Sequence, residues 1–342
     1  MAAKKARLKD VAEKAGVAVN TASTILNRKP NSWASKETEE RVFEAARELK
    51  YRPNRAAKSL QAGKFNSVGL LVADINNPYF THFSEMMAID LEKRGYNLVI
   101  ESWRMDRERE VKQLQDLVDR TVDGVVAFIS DVEQHREFLE FQANVGYPIV
   151  LMAMPGGKDL PVDAVMPDFE TGLEQAADVL LKQGHKKFVF LAARSKGQRV
   201  GGRPAIFDRI FSELNGVSAE VVDCGAAVQD ALEVARELLS SDDRPTAVIA
   251  LNDYTAIGVM RAAKENGLNV PEDLSVVGID GVPLAAQLPV SLSTIEQPHE
   301  DMVRESVRFL CERIEGEADS EVRYAMFPTR FVQRESSSQS PA

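Results

Sequence analysis

The 342-residue sequence holds only 2 cysteines, Cys224 and Cys311, and they stand far apart. Neither a disulfide framework nor a zinc finger can be built from two such thiols, so the chain is expected in a reducing cytoplasm. Its 4 histidines, His82, His135, His185 and His299, show no metal-ligand spacing. No apolar run reaches the roughly 18 residues that a membrane-spanning helix needs. Met1 to Arg7 is basic, but a charged amphipathic segment follows it, which is not the pattern of a signal peptide. The motifs GxSxG, HExxH and GxxxxGK[ST] are missing, and the glycines of 197–202 do not follow a strand as a dinucleotide fingerprint requires. Nothing in the sequence asks for a cofactor or a metal, and an enzyme is not expected.

What is present is an uneven charge. The sum of 42 Lys+Arg and 52 Asp+Glu is −10, which taken alone argues against a nucleic-acid partner. Residues 1–64, however, hold 15 basic and 7 acidic side chains, a net of +8, and the remainder holds 27 and 45, a net of −18. A small basic block suited to a polyanion precedes a large acidic one.

The basic block is patterned as helices. Leu8, Val11, Ala12 and Ala15 recur at helical spacing and Gly16 ends the run; a second short helix follows over Val19 to Leu26. Ser35 can cap a third, Lys36 to Leu49. Two helices joined by a short turn make a helix-turn-helix, whose second helix enters a major groove. Its outward residues are Val19, Asn20, Thr21, Ser23 and Thr24. Asn20 can pair twice with an adenine edge, Val19 can touch a thymine methyl, and Thr24 can make one hydrogen bond. Ser23 and Asn27 suit phosphate oxygens. Residues Arg55 to Gln61, capped by Asn54, are too few for a stable helix in water. Small Ala56 and Ala57 permit close approach to a surface and Leu60 is an apolar wedge, which fits a minor-groove binder, or a plain linker.

From Asn66 onward the rhythm becomes that of alternating strands and helices, beginning with the apolar run Val68 to Val72. A Gly/Pro-rich break, Pro155 to Pro161, precedes a second round, so two doubly wound α/β lobes are predicted behind the helical headpiece. Ligands bind such sheets beyond the carboxyl ends of strands. Asn76, Asn77, Tyr79, Phe80, Ser102, Trp103, Asp106, Asn252, Asp253 and Asp280 occupy such places. An aromatic plate ringed by amides and carboxylates suits a sugar. One of Tyr79 and Phe80 is expected to face the cleft and the other to pack inward. Trp103 is either a ligand plate or lobe core, while Asp168 and Asp253 read as helix caps.

Residues Leu8 to Val17, Thr21-Ala22-Ser23, Leu26-Asn27 and Tyr51 to Leu60 resemble the lactose-repressor (LacI/GalR) family of bacterial transcription regulators. The likeness continues through Val68 to Phe80, Val122 to Val126, Arg244 to Val248 and Asp273 to Asp280, nearly the whole chain. It implies a homodimer on palindromic double-stranded operator DNA. Its hinge residues Asn54, Arg55, Ala57, Lys58 and Leu60 would lie in the central minor groove, Leu60 intercalating. It implies effector contacts at Asn252, Asp280, Asn77 and Tyr79, and at Arg203. Three departures stand out: Ala18 replaces the serine that commonly caps the recognition helix, Thr24 stands where many members carry a guanine-reading arginine, and a longer loop carries Trp33, expected on the headpiece core.

The expected organisation is a headpiece over 1–53 and a hinge over 54–65. A core of the periplasmic-binding-protein type follows over 66–335, and a disordered tail over 336–342. The first lobe would take 66–162 and 292–322, the second 163–291 and 323–335. The function implied is a repressor controlled by a small-molecule effector, a sugar or sugar derivative. A sugar-binding transport receptor shares the two lobes but lacks the headpiece. A nucleoid-type architectural protein needs no cleft.

Overall fold

The computed structural model describes residues 6–27, 34–51, 63–119, 122–152, 160–195, 198–199, 202–212 and 214–341. The chain divides into two compact units, Met1–Phe65 and Asn66–Ala342.

In the first unit, α1 (Leu8–Ala15), α2 (Val19–Leu26) and α3 (Lys36–Glu48) share one apolar core. Helices of eight residues are unstable alone in water, so packing of Val11, Ala12, Ala22, Ile25, Val42 and Ala46 must hold them. The Asp10 carboxylate accepts the Arg7 N–H at 2.7 Å at the start of α1. Gly16, at φ 66, ends it in the left-handed conformation that glycine adopts without strain. Ser35 Oγ accepts the Thr38 N–H and caps α3, whereas Ala18 leaves α2 without a side-chain cap.

The second unit contains two sheets. The first lobe is built from β1 (Ser67–Val72), α4 (Pro78–Lys93), β2 (Asn97–Ser102), α5 (Arg107–Asp119), β3 (Gly124–Ala127), α6 (Val132–Asn144), β4 (Ile149–Leu151) and β5 (Asp163–Asp168). The second comprises α7 (Phe169–Lys182), β6 (Lys187–Ser195), β7 (Gln198–Arg199), α8 (Arg203–Phe211), β8 (Ser218–Cys224), α9 (Val228–Leu239), β9 (Ala247–Ile249), α10 (Asp253–Glu265), β10 (Ser275–Asp280) and β11 (Ser293–Glu296). The chain then returns to the first lobe as α11 (His299–Glu315) and β12 (Tyr324–Pro328), and ends on the second with β13 (Arg330–Val332). The first sheet runs β12-β5-β4-β3-β1-β2, every pair parallel. The second runs β13-β11-β10-β9-β6, with β8 parallel on β6 and β13 antiparallel on β11. Strands such as β1, β3 and β10 are buried along their length, as a parallel sheet covered by helices on both faces demands.

The lobe boundaries differ from the expected ones. The strand near residues 164–166 belongs to the first sheet, β11 to the second, and β12 to the first. The Pro155 to Pro161 break therefore precedes β5, a strand of the first sheet, and does not separate the lobes. The chain crosses between lobes where β5 meets α7, at Gln297-Pro298 and at Thr329. The β5–β12 pairing that makes this so is locked at its start. Arg313 and Arg323 both donate to the buried Asp163 carboxylate, at 2.8 and 2.7 Å. Burial pushes that carboxyl up, but hydrogen bonds from the two guanidiniums outweigh it and hold it below its ordinary value.

Residues 336–341, expected to be disordered, are packed. Ser336 Oγ donates to the Val276 carbonyl at 2.6 Å, and the Ser336 carbonyl accepts the Val276 N–H at 2.8 Å. Ser338 presents its carbonyl to His185 Nε2 at 3.0 Å. The serines that look like linker composition supply hydroxyls to buried backbone groups at the foot of β10.

Candidate functional site

In the headpiece, Val19 and Asn20 are exposed at the start of α2, while Thr21, Ser23, Thr24 and Asn27 are half-buried. Asn27 is not free as expected for a phosphate contact. Its Nδ2 donates to the Ser23 carbonyl at 2.7 Å and to Ser23 Oγ at 3.3 Å, which closes the end of α2. The hinge residues Asn54, Arg55, Ala57, Lys58 and Leu60, and Trp33, lie outside the described residues.

In the core, a cavity of about 140 Å³ opens between the two sheets at the carboxyl ends of their strands. Asn77, Tyr79, Phe80, Trp103, Arg203, Asn252 and Asp280 all line it, so the structure brings these seven expected residues to one place. The local chain explains each position. Asn77 caps α4, its Oδ1 accepting the Tyr79 N–H at 3.0 Å, which leaves its Nδ2 as a donor. Asn252 does the same for α10, accepting the Thr255 N–H at 2.8 Å. Both amides are thus held rigid by the helices they begin. Tyr79 and Phe80 both contribute to the wall, in T-shaped contact with a centroid separation of 5.0 Å. Trp103 is both core and wall: its Nε1 donates to the Phe128 carbonyl at 3.0 Å.

Arg203 is the first residue of α8, held by a bond from Nη1 to the Leu251 carbonyl at 2.6 Å and by the Phe169 ring 4.7 Å away. Asp280 ends β10 at φ 120, a strained backbone for a residue with a Cβ. Its neighbourhood enforces that conformation. Gln297 N–H bonds the Asp280 carbonyl at 3.1 Å, and Gln297 Nε2 donates to the Asp280 carboxylate at 2.8 Å. Asp253, expected to be a helix cap, instead accepts the Gly281 and Val282 N–H groups at 2.8 Å each and pins the turn that follows Asp280. The other expected cap, Asp168, does begin α7.

Burial pushes the Asp280 carboxyl well above its ordinary range, opposed by Arg203. Burial likewise lowers the Arg203 guanidinium, opposed by Asp280. Burial and then the Asp280 charge push the Tyr79 phenol up, so it remains a donor. Asp253 is pushed up to about 7 by burial, against the donors that surround it. The arrangement can hold hydroxyl groups at its charged side and a ring against its aromatic side.

Asn76, Ser102 and Asp106 follow strands but do not line the cavity. Asn76 and Asp106 are engaged in local turns. Gln297, Phe128, Phe169 and Ser130 do line it and were not anticipated. Gln297 stands directly after β11 and Phe169 directly after β5, places the same end-of-strand rule picks out once those strands are located.

A model of bacterial regulatory proteins of the lacI family matches residues 7–54, and one of a periplasmic binding protein-like domain matches residues 177–337. The ribose operon repressor of Halalkalibacterium halodurans is 32% identical over 328 residues, which cover 96% of each chain. Among solved structures, the Lac repressor bound to ONPG superposes with a TM-score of 0.80 at 25% identity, covering 97% of this chain and 100% of that one. A LacI family regulator from Enterococcus faecium with bound ribose gives 0.67 at 25% identity, covering 80% and 99%. With a relative 32% identical over 96% of the chain and the regulatory-protein model matching its first part, the chain belongs to the lacI family of bacterial regulatory proteins and is a DNA-binding transcription regulator.

Proposed function

We propose that the protein is a homodimeric cytoplasmic repressor that holds a palindromic operator and is controlled by one monosaccharide bound between its lobes. The observation that carries the effector reading is the cavity, where the aromatic side chains of one lobe face the fixed charges of the other. Its size agrees: a cavity of roughly 150 Å³ accepts one benzene-sized ring. A ring stacked on Phe80 and Trp103 with vicinal hydroxyls toward Asp280 and Arg203 meets acceptors and donors in the pattern a sugar needs. The ribose-named relative and the ribose-bound regulator support a pentose.

On the DNA side, Val19 and Asn20 are the residues best placed to reach base edges, with Thr21, Ser23 and Thr24 beside them. Asn54, Arg55, Ala57 and Lys58 would follow the minor groove and Leu60 would open a base step. Pairing of two copies is supported by exposed Ile89 on α4 and Ile100 on the edge strand β2, with Ile75 and Leu284 also exposed.

Coupling runs through the crossings. Tyr79 of the first lobe donates to Gln297 Oε1 at 3.3 Å, and Gln297 donates in turn to Asp280 of the second. A ligand that touches Tyr79 and Asp280 together favours one relative setting of the lobes. By linkage its affinity and that of the operator must change reciprocally. The test uses the full chain. An operator is selected from random duplexes, and a panel of aldopentoses and aldohexoses is screened by thermal shift and then added to the operator complex. One sugar should raise the melting temperature and change operator affinity at least about fivefold, since coupling energies run to about 1–3 kcal/mol. A panel that shifts neither quantity defeats the sugar reading. Failure to select any duplex defeats the operator reading.

A further inference from the structure

Glu110, on α5, is a carboxylic acid with no exposed surface. Three donors converge on it. Ser130 N–H reaches Oε1 at 2.6 Å and Ser130 Oγ–H reaches Oε2 at 2.6 Å. His135 Nε2, on the buried face of α6, stands 3.1 Å from Oε1. Of these three residues, Ser130 lines the cavity and the other two lie behind it. A backbone N–H can only donate, so Oε1 accepts. The Ser130 hydroxyl donates to Oε2 at 2.6 Å, so Oε2 accepts too. His135 then directs Nε2–H at Glu110. A serine hydroxyl has one proton and two lone pairs, and the proton of Ser130 is committed away from the cavity.

We propose that Glu110, braced by His135, fixes the hydrogen-bond polarity of the effector cavity at Ser130, so that the effector must place an O–H or N–H donor there. The proposal rests on the reading of this cavity as the effector site and gives that site a selectivity. A ring bearing a hydroxyl at this point is accepted. A ring with a carbonyl, an ether oxygen or a halogen sets lone pairs against lone pairs and is rejected. Glu110 and His135 are positioning residues that act through Ser130.

Glu110→Gln is the informative variant because it keeps every contact and reverses one. The new Oε1 still accepts the Ser130 and His135 N–H groups. The new Nε2 donates to Ser130 Oγ and releases the hydroxyl proton toward the cavity. Full-length wild type and variant are titrated calorimetrically with D-ribose, its monodeoxy series and its monodeoxyfluoro series. Fluorine accepts weakly and never donates. In the wild type, one ring position should bind fluorine about tenfold more weakly than hydrogen, and the order should reverse at that position in Glu110→Gln. A merely structural role for Glu110 would lower all affinities together and leave the order intact. An order unchanged by the substitution, or a wild type in which no position disfavours fluorine over hydrogen, overturns the proposal. A ligand-free measurement separates this failure from failure of the pentose reading. The Ser130 hydroxyl proton should be protected from exchange and shifted downfield in the wild type, and move upfield in the variant. A Ser130 hydroxyl that exchanges as fast as an exposed serine's overturns the proposal even where D-ribose binds neither protein.

Discussion

The two walls of the cavity are made of different chemistry. The first lobe supplies rings, with Tyr79, Phe80, Trp103 and Phe128 around the ends of β1, β2 and β3. The second supplies the charged pair, Arg203 and Asp280, beside the Asn252 amide and the Phe169 ring, while Asn77 and Ser130 add polar groups to the first. The difference follows from how each wall is held. Rings need only packing and are continuous with the lobe core. Charges need partners, which are the Leu251 carbonyl and the Phe169 ring for Arg203 and the Gln297 side chain for Asp280. Each wall alone is half a site, so a ligand that satisfies both is one that sets the lobes against each other. Changes on the charged wall should therefore abolish response, and changes on the aromatic wall should grade it.

The largest effect belongs to Asp280→Asn. If the sugar places two hydroxyls on the carboxylate, weakening both at about 1.5 kcal/mol each predicts on the order of a hundredfold loss of sugar affinity by calorimetry. The pH dependence carries the same signature. The Asp280 carboxyl titrates above its ordinary range in the ligand-free protein, and hydroxyl donors need the ionised form. Affinity should rise with pH across the range in which Asp280 loses its proton, and Asp280→Asn should flatten that slope. The stability contribution has the opposite sign. A carboxyl raised in the folded state stabilises it below the unfolded pKa, and that contribution is lost as pH rises through the folded one. An Asp280→Asn protein with wild-type affinity would remove the charged wall from the site.

Next comes the seam between the walls. A Cβ on Gly172 of α7 would stand 2.4 Å from Ile295 Cγ2 and 2.5 Å from Thr329 Oγ1. Thr329 is a crossing residue whose Oγ1 donates to the Asp168 carbonyl at 2.6 Å and accepts the Gly172 N–H at 3.2 Å. Gly172→Ala should cost about 2 kcal/mol of core stability through overpacking, seen as a lowered melting temperature. Because it spreads the crossing and touches neither wall, it should change the ratio of operator affinities with and without sugar more than sugar affinity itself. Equal changes in both would show that the seam only supports the walls.

Much of the comparison is legible in the sequence, and the exceptions share a cause. The apolar run Val68 to Val72 falls within a residue of β1, and the helices over Val19 to Leu26 and Lys36 to Leu49 within a residue of α2 and α3, because local burial fixes them. The after-strand residues Asn77, Tyr79, Asn252 and Asp280 follow from that. Assigning β5, β11 and β12 to lobes depends on pairings between strands about 160 residues apart, such as Ala164 with Tyr324, which no local pattern carries. Gln297 and Phe169 were lost with them. Asp253 was misread because a carboxylate at the head of a helix looks the same in sequence whether it caps its own helix or, as here, a turn of another element. The tail serines look like disorder because hydroxyl composition does not say whether a backbone edge is waiting for it.

The smallest effects lie within the aromatic wall and separate ring from core. Phe80 is half-buried and Trp103 almost wholly so. Phe80→Leu removes a stacking face, and aromatic contacts contribute about 0.5–1.5 kcal/mol beyond area, so sugar affinity should fall several-fold with little change in melting temperature. Trp103→Phe keeps a ring on the wall but strands the Phe128 carbonyl that Nε1 now satisfies. It should cost about 1 kcal/mol of stability while sugar affinity moves less than in Phe80→Leu. Measured together by calorimetric binding and thermal melting, the two variants should displace opposite quantities. If Trp103→Phe instead cost more affinity than Phe80→Leu, the indole would be the ligand's main plate. The aromatic wall would then be fixed by the lobe core as rigidly as the charged wall is by its helix starts.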